Sequence, residues 1–348
     1  MTQGSMIYEG HFGLAKNPFG MSPDPAFLYL TAGHREALVG LAYAVLQRKG
    51  FAVLTGQTGT GKTTLLRRLQ EFVSARTCFV TNPTLSPDEF LEIILLSFGV
   101  KDVPGSKAQR LIKLEEFLLQ SQSENQGTVL IVDEAQRLKP ETLEEIRLLT
   151  NLETAQGKLL QILLVGQEEL RDLLNREDLR QLKQRIGVRL EIKALPPEEI
   201  AAYLRHRWNL AGARRELAFR PDAIDRVAHV SKGIPRVINA VCDNALLLAY
   251  AEGASSVSLS HVTDAAADLD LIPRVEYVNG SNGRNGANVF VSQNGAGDKC
   301  KETAASELMF KPTMTGSILK LDRYAPDTSD PSWSRRWANR LGFSAKRG

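Results

Sequence analysis

Four short runs of consecutive apolar residues punctuate the first half of the chain: FAVLT (51–55), TCFVT (77–81), TVLIV (128–132) and LQILLV (160–165). Runs of this kind suit strands covered on both faces, the condition of a parallel sheet, better than the strict alternation of a half-exposed strand. Between them lie longer stretches with helical spacing. One follows Gly61, one runs near Pro87 to Phe98, and one near Lys107 to Gln120, where Leu111, Leu114 and Leu118 recur at i, i+3 and i+7. The alternation predicts an α/β nucleotide-binding core over residues 51–195, preceded by an N-terminal segment and helix over 1–50.

After LEIKALPPEE (190–199) the strand signals stop. The chain then reads as helices near 198–211, 221–231, 235–252 and 259–270, with starts marked by Arg220-Pro221-Asp222 and Ile234-Pro235. A small all-helical domain over 196–272 is expected. Beyond 273 the sequence turns to NGSNGRNGANVFVSQNGAGDK, too rich in Gly, Asn and Ser to bury a core. Residues from about 275 to 328 are expected to be mostly disordered.

Composition narrows the class. The 348 residues, 43% of them hydrophobic, can bury a sizeable core in about two domains. Forty-three Lys and Arg against 40 Asp and Glu leave a formal charge of +3, so any surface for an acidic partner has to be local. Cys78, Cys242 and Cys300 stand far apart, which excludes a CxxC metal site and argues against a disulfide framework. No apolar run reaches the ~18 residues of a membrane-spanning helix, and MTQGSMIYEG lacks the features of a signal peptide. A cytoplasmic protein is expected.

The loop Gly56-Gln57-Thr58-Gly59-Thr60-Gly61-Lys62-Thr63-Thr64 fits GxxxxGK followed by Ser or Thr, directly after a predicted strand and opening a predicted helix. Its glycines let backbone N–H groups turn toward phosphate oxygens, the helix N-terminus adds positive potential, and Lys62 can reach the β and γ phosphates. The Thr63 hydroxyl can ligate Mg2+. Downstream, LIVDEAQRL carries Asp133, placed to hold Mg2+, and Glu134, placed to polarise a water for attack on the γ phosphate. A solvated acidic loop is the plainer reading, but paired carboxylates after a phosphate loop point to ATP hydrolysis.

Three further positions carry weaker signals. Gln167, after LQILLVG, can orient the attacking water or simply cap a helix. In LRQLKQRIGVRLEI, either Arg185 or Arg189 can serve as a finger for a neighbour's nucleotide, or face solvent. Arg236 stands in the first turn of a helix, where the dipole disfavours a cation, and a γ phosphate in the cleft between domains would resolve that conflict.

These stretches, with HFGLAKNPFGMSPDPAFLYLTAGHREAL (11–38) and GIPRVINAVCDNALLLAY (233–250), span about residues 7–272 and resemble an AAA+ ATPase, specifically the ExeA/GspA type of secretion-associated ATPase. The resemblance implies a P-loop NTPase sheet of five parallel strands in the order 5-1-4-3-2, a helical lid, and ATP bound with Mg2+ at subunit interfaces of a homo-oligomeric ring or filament. It also implies adenine held near Asn17 to Phe19 and His34. By position it makes Gln167 sensor 1, Arg185 the trans arginine finger and Arg236 sensor 2. Larger members carry a membrane span and a peptidoglycan-binding domain after the ATPase, which residues 275–348 do not show. Shorter relatives, linked to exosortase, polysaccharide export or transposition, therefore stay in view.

The tail DPSWSRRWANRLGFSAKRG (330–348) spaces Trp333, Trp337 and Leu341 four apart among Arg335, Arg336 and Arg340. A basic amphipathic helix at 332–343 would suit an anionic membrane surface, placing the protein peripherally at the inner membrane, or a partner's groove. Three functions remain open: an ATPase that assembles or remodels an envelope secretion or export system; a nucleic-acid-binding regulator of transposition, with Arg67, Arg68, Lys107 and Arg110 as a basic stripe; and a slow ATP-dependent switch.

Overall fold

The computed structural model describes residues 7–22 and 24–273. The Gly- and Asn-rich stretch, Cys300 and the expected basic helix at 332–343 lie outside them.

Five strands, β1 (Phe51–Gly56), β2 (Ala75–Val80), β3 (Gly127–Val132), β4 (Gln161–Gly166) and β5 (Val188–Ile192), form one parallel sheet in the order β2-β3-β4-β1-β5. Read from the other edge, this is the order 5-1-4-3-2 that the resemblance implied. β1 lies between β4 and β5, with Thr55 opposite Gly166 and Gly56 opposite Ile192. β1 and β4 are buried at every position, as their unbroken apolar runs require, whereas the edge strand β5 alternates, burying Val188, Leu190 and Ile192.

After a single-turn α1 (Glu9–Phe12), helices cover both faces of the sheet. On one, α2 (Ala32–Leu46) and α3 (Lys62–Phe72) pack Leu38, Leu41, Leu65 and Leu66 against Ala52, Leu54, Leu163 and Val165. On the other, α4 (Pro87–Ser97), α5 (Lys107–Ser123), α6 (Pro140–Leu149), α7 (Glu168–Leu174) and α8 (Arg180–Gln184) pack against Phe51, Val53, Leu130 and Leu164. Truncating any of these fully buried leucines to alanine would cost about 2–5 kcal/mol. The start of α4 is fixed by a capping box, in which Ser86 Oγ accepts from Glu89 N and Glu89 Oε2 accepts from Ser86 N. α6 and a two-stranded ribbon of Glu153–Thr154 with Gly157–Lys158 had no counterpart among the expected elements.

Past β5 come α9 (Pro197–Leu210), α10 (Pro221–Ser231), α11 (Pro235–Ala251) and α12 (Leu259–Asp268), each starting within a residue of the position read from the sequence. Proline opens the first three, where its missing N–H costs nothing. Their shared core takes in residues from the other end of the chain: Tyr8, Phe12, Leu14, Phe19 and Phe27 pack with Trp208, Val227, Val241 and Leu246. Polar ties reinforce the join. The Tyr8 hydroxyl donates to Asp243, Asn17 Nδ2 donates to Asp243 Oδ1 at 2.9 Å, and Arg207 Nε donates to the Pro18 carbonyl at 2.6 Å. The N-terminal segment is thus a structural part of the helical layer as well as a neighbour of the cleft below.

Candidate functional site

All five strands end on the same side of the sheet, and the loops leaving β1, β3 and β4 converge there, the usual ligand crevice of an open parallel sheet. The loop after β1 is the glycine-rich one. Gly56 has no room for a side chain, because a Cβ would meet the Ile192 carbonyl oxygen at 2.4 Å. Gly59 sits at φ +83°, where a Cβ would lie 2.7 Å from the Cβ of Arg236. The Thr60 hydroxyl donates to the Gln57 carbonyl at 2.8 Å, closing the turn.

Lys62 opens α3 and is buried, its Nζ donating to the carbonyls of Gly56 at 2.7 Å and Gln57 at 2.9 Å. Burial lowers its pKa, while the carboxylates of Glu134, Asp133 and Glu169 oppose that. Thr63 Oγ1 donates to Asp133 Oδ2 at 2.9 Å. These two oxygen ligands, side by side at the phosphate end, fit a hard cation such as Mg2+, which commonly takes one or two protein oxygens and completes its shell with substrate phosphate and water.

Glu134 follows directly at φ 52°, which turns its side chain into the cleft. Its Oε2 accepts from Gln136 Nε2 at 2.6 Å and from Gln167 Nε2 at 3.2 Å. Burial would raise its pKa, but these hydrogen bonds, with the charges of Lys62 and Arg137, outweigh that and hold it below the ordinary value. Gln136 also accepts from the Gln167 N–H, at 3.2 Å, so one carboxamide ties the loop after β3 to the loop after β4.

The cleft has a volume of about 310 Å³. The phosphate loop from Thr58 to Thr64 and Glu134 line one end; Gly20, Met21, Phe27, Leu28 and Tyr29 line another part; the helical layer contributes Leu195, Tyr203, Arg207, Arg236 and Asn239. Arg236 has an exposed side chain with no hydrogen bond or ion pair among the described residues, and its backbone N–H donates to the Gly59 carbonyl at 3.2 Å. The cation in a helix's first turn therefore faces the phosphate end.

His34 also lines the cleft, but its ring is engaged within the protein. Nε2 pairs with the Thr60 carbonyl at 2.9 Å and Nδ1 with Thr31 Oγ1 at 2.7 Å, bracing the loop against α2. Burial lowers its pKa and keeps the ring neutral, with Nε2 carrying the proton. Asn17 and Phe19, expected near adenine, are not among the lining residues. Phe19 is fully buried edge-on to Phe219, and Asn17 is tied to Asp243, because the apolar ring gains more in the helical core than at an open wall. The wall begins with Gly20.

Arg185 stands apart from this group. It precedes β5, whose first residue pairs with Ala52, while the phosphate loop leaves the opposite end of β1, so at least a strand's length, roughly 17 Å, separates them. Its Nη1 donates to the Arg147 carbonyl at 3.0 Å, to Asn151 Oδ1 at 2.6 Å and to Thr150 Oγ1, at the end of α6. Arg189 is exposed and donates to the Lys183 carbonyl at 3.3 Å. Gln136, Tyr203, Arg207 and Asn239 were absent from the residues singled out in the sequence. An amide two places after Glu134, and another one turn after Arg236, gave the only local hint.

Residues 45–174 match the family model of the AAA domain. General secretion pathway protein A of Aeromonas hydrophila is 39% identical over 266 residues, covering 76% of this chain and 48% of that protein. Residues 45–174 thus carry an AAA domain, and over most of its length this chain is similar to general secretion pathway protein A. It spans about half the length of that curated relative. Among solved structures, the Aeropyrum pernix ORC2 protein in ADPNP-ADP complexes gives a TM-score of 0.57 at 22% identity, covering 73% of this chain and 71% of that one. Cdc6p from Pyrobaculum aerophilum gives 0.58 at 16% identity, covering 76% and 73%. Both share the fold. The AAA match contains the phosphate loop, Asp133, Glu134 and Gln167, while Arg185 and Arg236 lie beyond it.

Proposed function

We propose that this AAA ATPase binds ATP with Mg2+ in the cleft between sheet and helical layer and uses its hydrolysis to assemble or remodel an envelope-associated secretion or export system. The observation that carries the reading is the convergence of Lys62, the Thr63–Asp133 pair, Glu134 with Gln167, and Arg236 at one cleft from four separate stretches of chain. Lys62 neutralises the phosphates, exchanging its loop carbonyls for phosphate oxygens. Thr63 and Asp133 hold the cation, which when bound withdraws charge from the phosphates. Glu134, kept ionised by two amide donors on Oε2, leaves Oε1 to take a proton from the attacking water, and Gln167 holds that water in line. Arg236 links the phosphate to α11, so loss of phosphate alters how the helical layer sits on the loop.

Arg185 cannot reach its own phosphate loop, and its place at the far end of the sheet suits a contact with the next subunit in a homo-oligomeric ring or filament. The secretion role rests on the relative's printed name. No helix among the described residues is long and apolar enough to cross a membrane; the proposed contact with an inner-membrane surface is the segment 332–343. The nucleic-acid alternative finds less support in its proposed stripe: Lys107 pairs with Glu145, Arg110 with Glu92 and Arg68 with Glu71.

The test is ATPase rate against protein concentration for wild type, Glu134→Gln, Arg185→Ala and an equimolar mixture of the two variants. Rate per subunit should rise with concentration, each variant should be inactive and the mixture should recover activity. A flat rate with an active Arg185→Ala would leave a self-contained switch.

A further inference from the structure

One turn along α11 from Arg236, Asn239 lines the cleft with only 8% of its surface exposed. Its Oδ1 is occupied, accepting from the Tyr203 hydroxyl at 2.7 Å. The Tyr203 oxygen in turn receives Arg207 Nη1 at 3.4 Å, and a guanidinium can only donate, so the phenolic proton is free to point at Asn239. Arg207 is itself fixed, with Nε on the Pro18 carbonyl and its Cζ 4.8 Å from the Phe27 ring centre. The relay sets the carboxamide's orientation. Oxygen faces Tyr203, and Nδ2, which has no hydrogen-bond partner among the described residues, remains as a donor on the cleft side.

The position along the cleft indicates what that donor meets. Arg236, one turn earlier, touches the phosphate loop through its backbone at Gly59. One turn later, Asp243 is closed off by Tyr8 and Asn17. Asn239 therefore lies about 5 Å along the helix from Arg236, in a cleft whose lining includes Leu28, Leu195 and Tyr29, the last edge-on to Tyr203 at 5.8 Å. An aromatic and aliphatic wall with one oriented donor suits a heteroaromatic base more than a phosphate.

We infer that Asn239 reads the base of the bound nucleoside triphosphate, donating Nδ2–H to a purine ring nitrogen, with Tyr203 and Arg207 as the positioning residues that orient its amide. The inference rests on the ATP-binding reading above and adds a specificity determinant to it.

Calorimetric titration of the full chain tests it, with ATP, 2′-deoxy-ATP, tripolyphosphate and the 1-, 3- and 7-deaza analogues of ATP as probes. Loss of one hydrogen bond predicts that Asn239→Ala weakens ATP and 2′-deoxy-ATP alike by roughly 2- to 12-fold and leaves tripolyphosphate unchanged. One deaza analogue should bind wild type as weakly as ATP binds the variant and lose nothing further from the substitution. Tyr203→Phe, which releases the amide, should weaken ATP by a smaller factor and add nothing on top of Asn239→Ala; it also serves if the alanine variant does not fold. Equal affinity for ATP in wild type and both variants overturns the inference. So does a loss that vanishes with 2′-deoxy-ATP, which would place the contact on ribose, or an equal loss for tripolyphosphate. Failure of wild type to bind any of these ligands would overturn the ATP-binding reading too, which separates the two failures.

Discussion

Gln136 and Glu134 are joined by a 2.6 Å hydrogen bond from the amide Nε2 to Oε2, two residues apart across a one-turn 3-10 helix. The other end of the same amide accepts from the Gln167 backbone, so Gln136 sets the spacing between two loops and the direction of one carboxylate. It does not line the cleft. Gln136→Leu should therefore leave ATP affinity within about twofold of wild type and lower kcat by roughly 10- to 100-fold, since misplacement of a reacting group by an ångström is of that consequence. Equilibrium binding alongside steady-state turnover separates the two effects, and an equal loss in both would mean that Gln136 acts on the cleft as a whole.

Removing the Thr63 hydroxyl separates cation from nucleotide. Thr63→Val keeps the side-chain volume but deletes the donor to Asp133 Oδ2. ATP affinity should drop about tenfold or more in Mg2+, the size of a lost charge-assisted contact, and change little when the metal is chelated. Titrations with and without EDTA check this, and a loss independent of metal would count against the assignment.

Gly59 is where the helical layer meets the phosphate loop. Alanine there would combine a left-handed φ of +83° with a Cβ 2.7 Å from Arg236 Cβ and 3.1 Å from Ile234 Cγ2. Gly59→Ala should destabilise by about 1–3 kcal/mol and lower the melting temperature by several degrees. Calorimetry gives the first quantity. Hydrogen exchange should show the excess opening at residues 234–236, and an unchanged melt would mean that the two layers separate more easily than the contact suggests.

His34 makes the loop sensitive to acid. Its pKa in the fold is lowered by burial, so the unfolded chain, near the ordinary value of 6.5, binds the proton more readily. The associated stability is complete above about pH 6.5 and is lost as pH falls through the folded value. His206, also lowered chiefly by burial, adds in the same direction. The drop in melting temperature from about pH 7.5 to about pH 5.5 should be smaller in His34→Gln than in wild type. Parallel curves would show that His34 does not govern the acid limb.

The phosphate loop and the central strands were legible in the sequence because each is a local pattern. GQTGTGKTT needs its residue types at fixed spacing, and β1 and β4 need unbroken apolar runs to lie between two helical layers. The starts of α10 and α11 were legible because proline sits at the first helical position. The strand order came from resemblance, since no local pattern says that β4 lies between β1 and β3. What escaped reading depends on pairs distant in sequence: Phe12 with Trp208, Phe19 with Phe219, Tyr203 with Asn239. Gln136 escaped for a different reason. A glutamine after Asp-Glu looks like any surface amide until the Gln167 loop is seen to meet it.

The burial of Tyr8, Phe12 and Phe19 among helices from the far end of the chain has a consequence for biosynthesis. The Tyr8 hydroxyl and Asp243 are 235 residues apart. The aromatic cluster of Tyr8, Phe12 and Phe19 leaves the ribosome with no core to enter until α11 has followed, whereas β1 to β5 can pair as soon as residue 192 is out. During that interval the N-terminus is an adhesive apolar segment beside a nearly finished sheet. A nascent chain halted just after β5 should be a stronger chaperone client than the complete protein, and shortening the N-terminus to residue 28 should relieve that dependence while leaving the finished helical layer short of part of its interior.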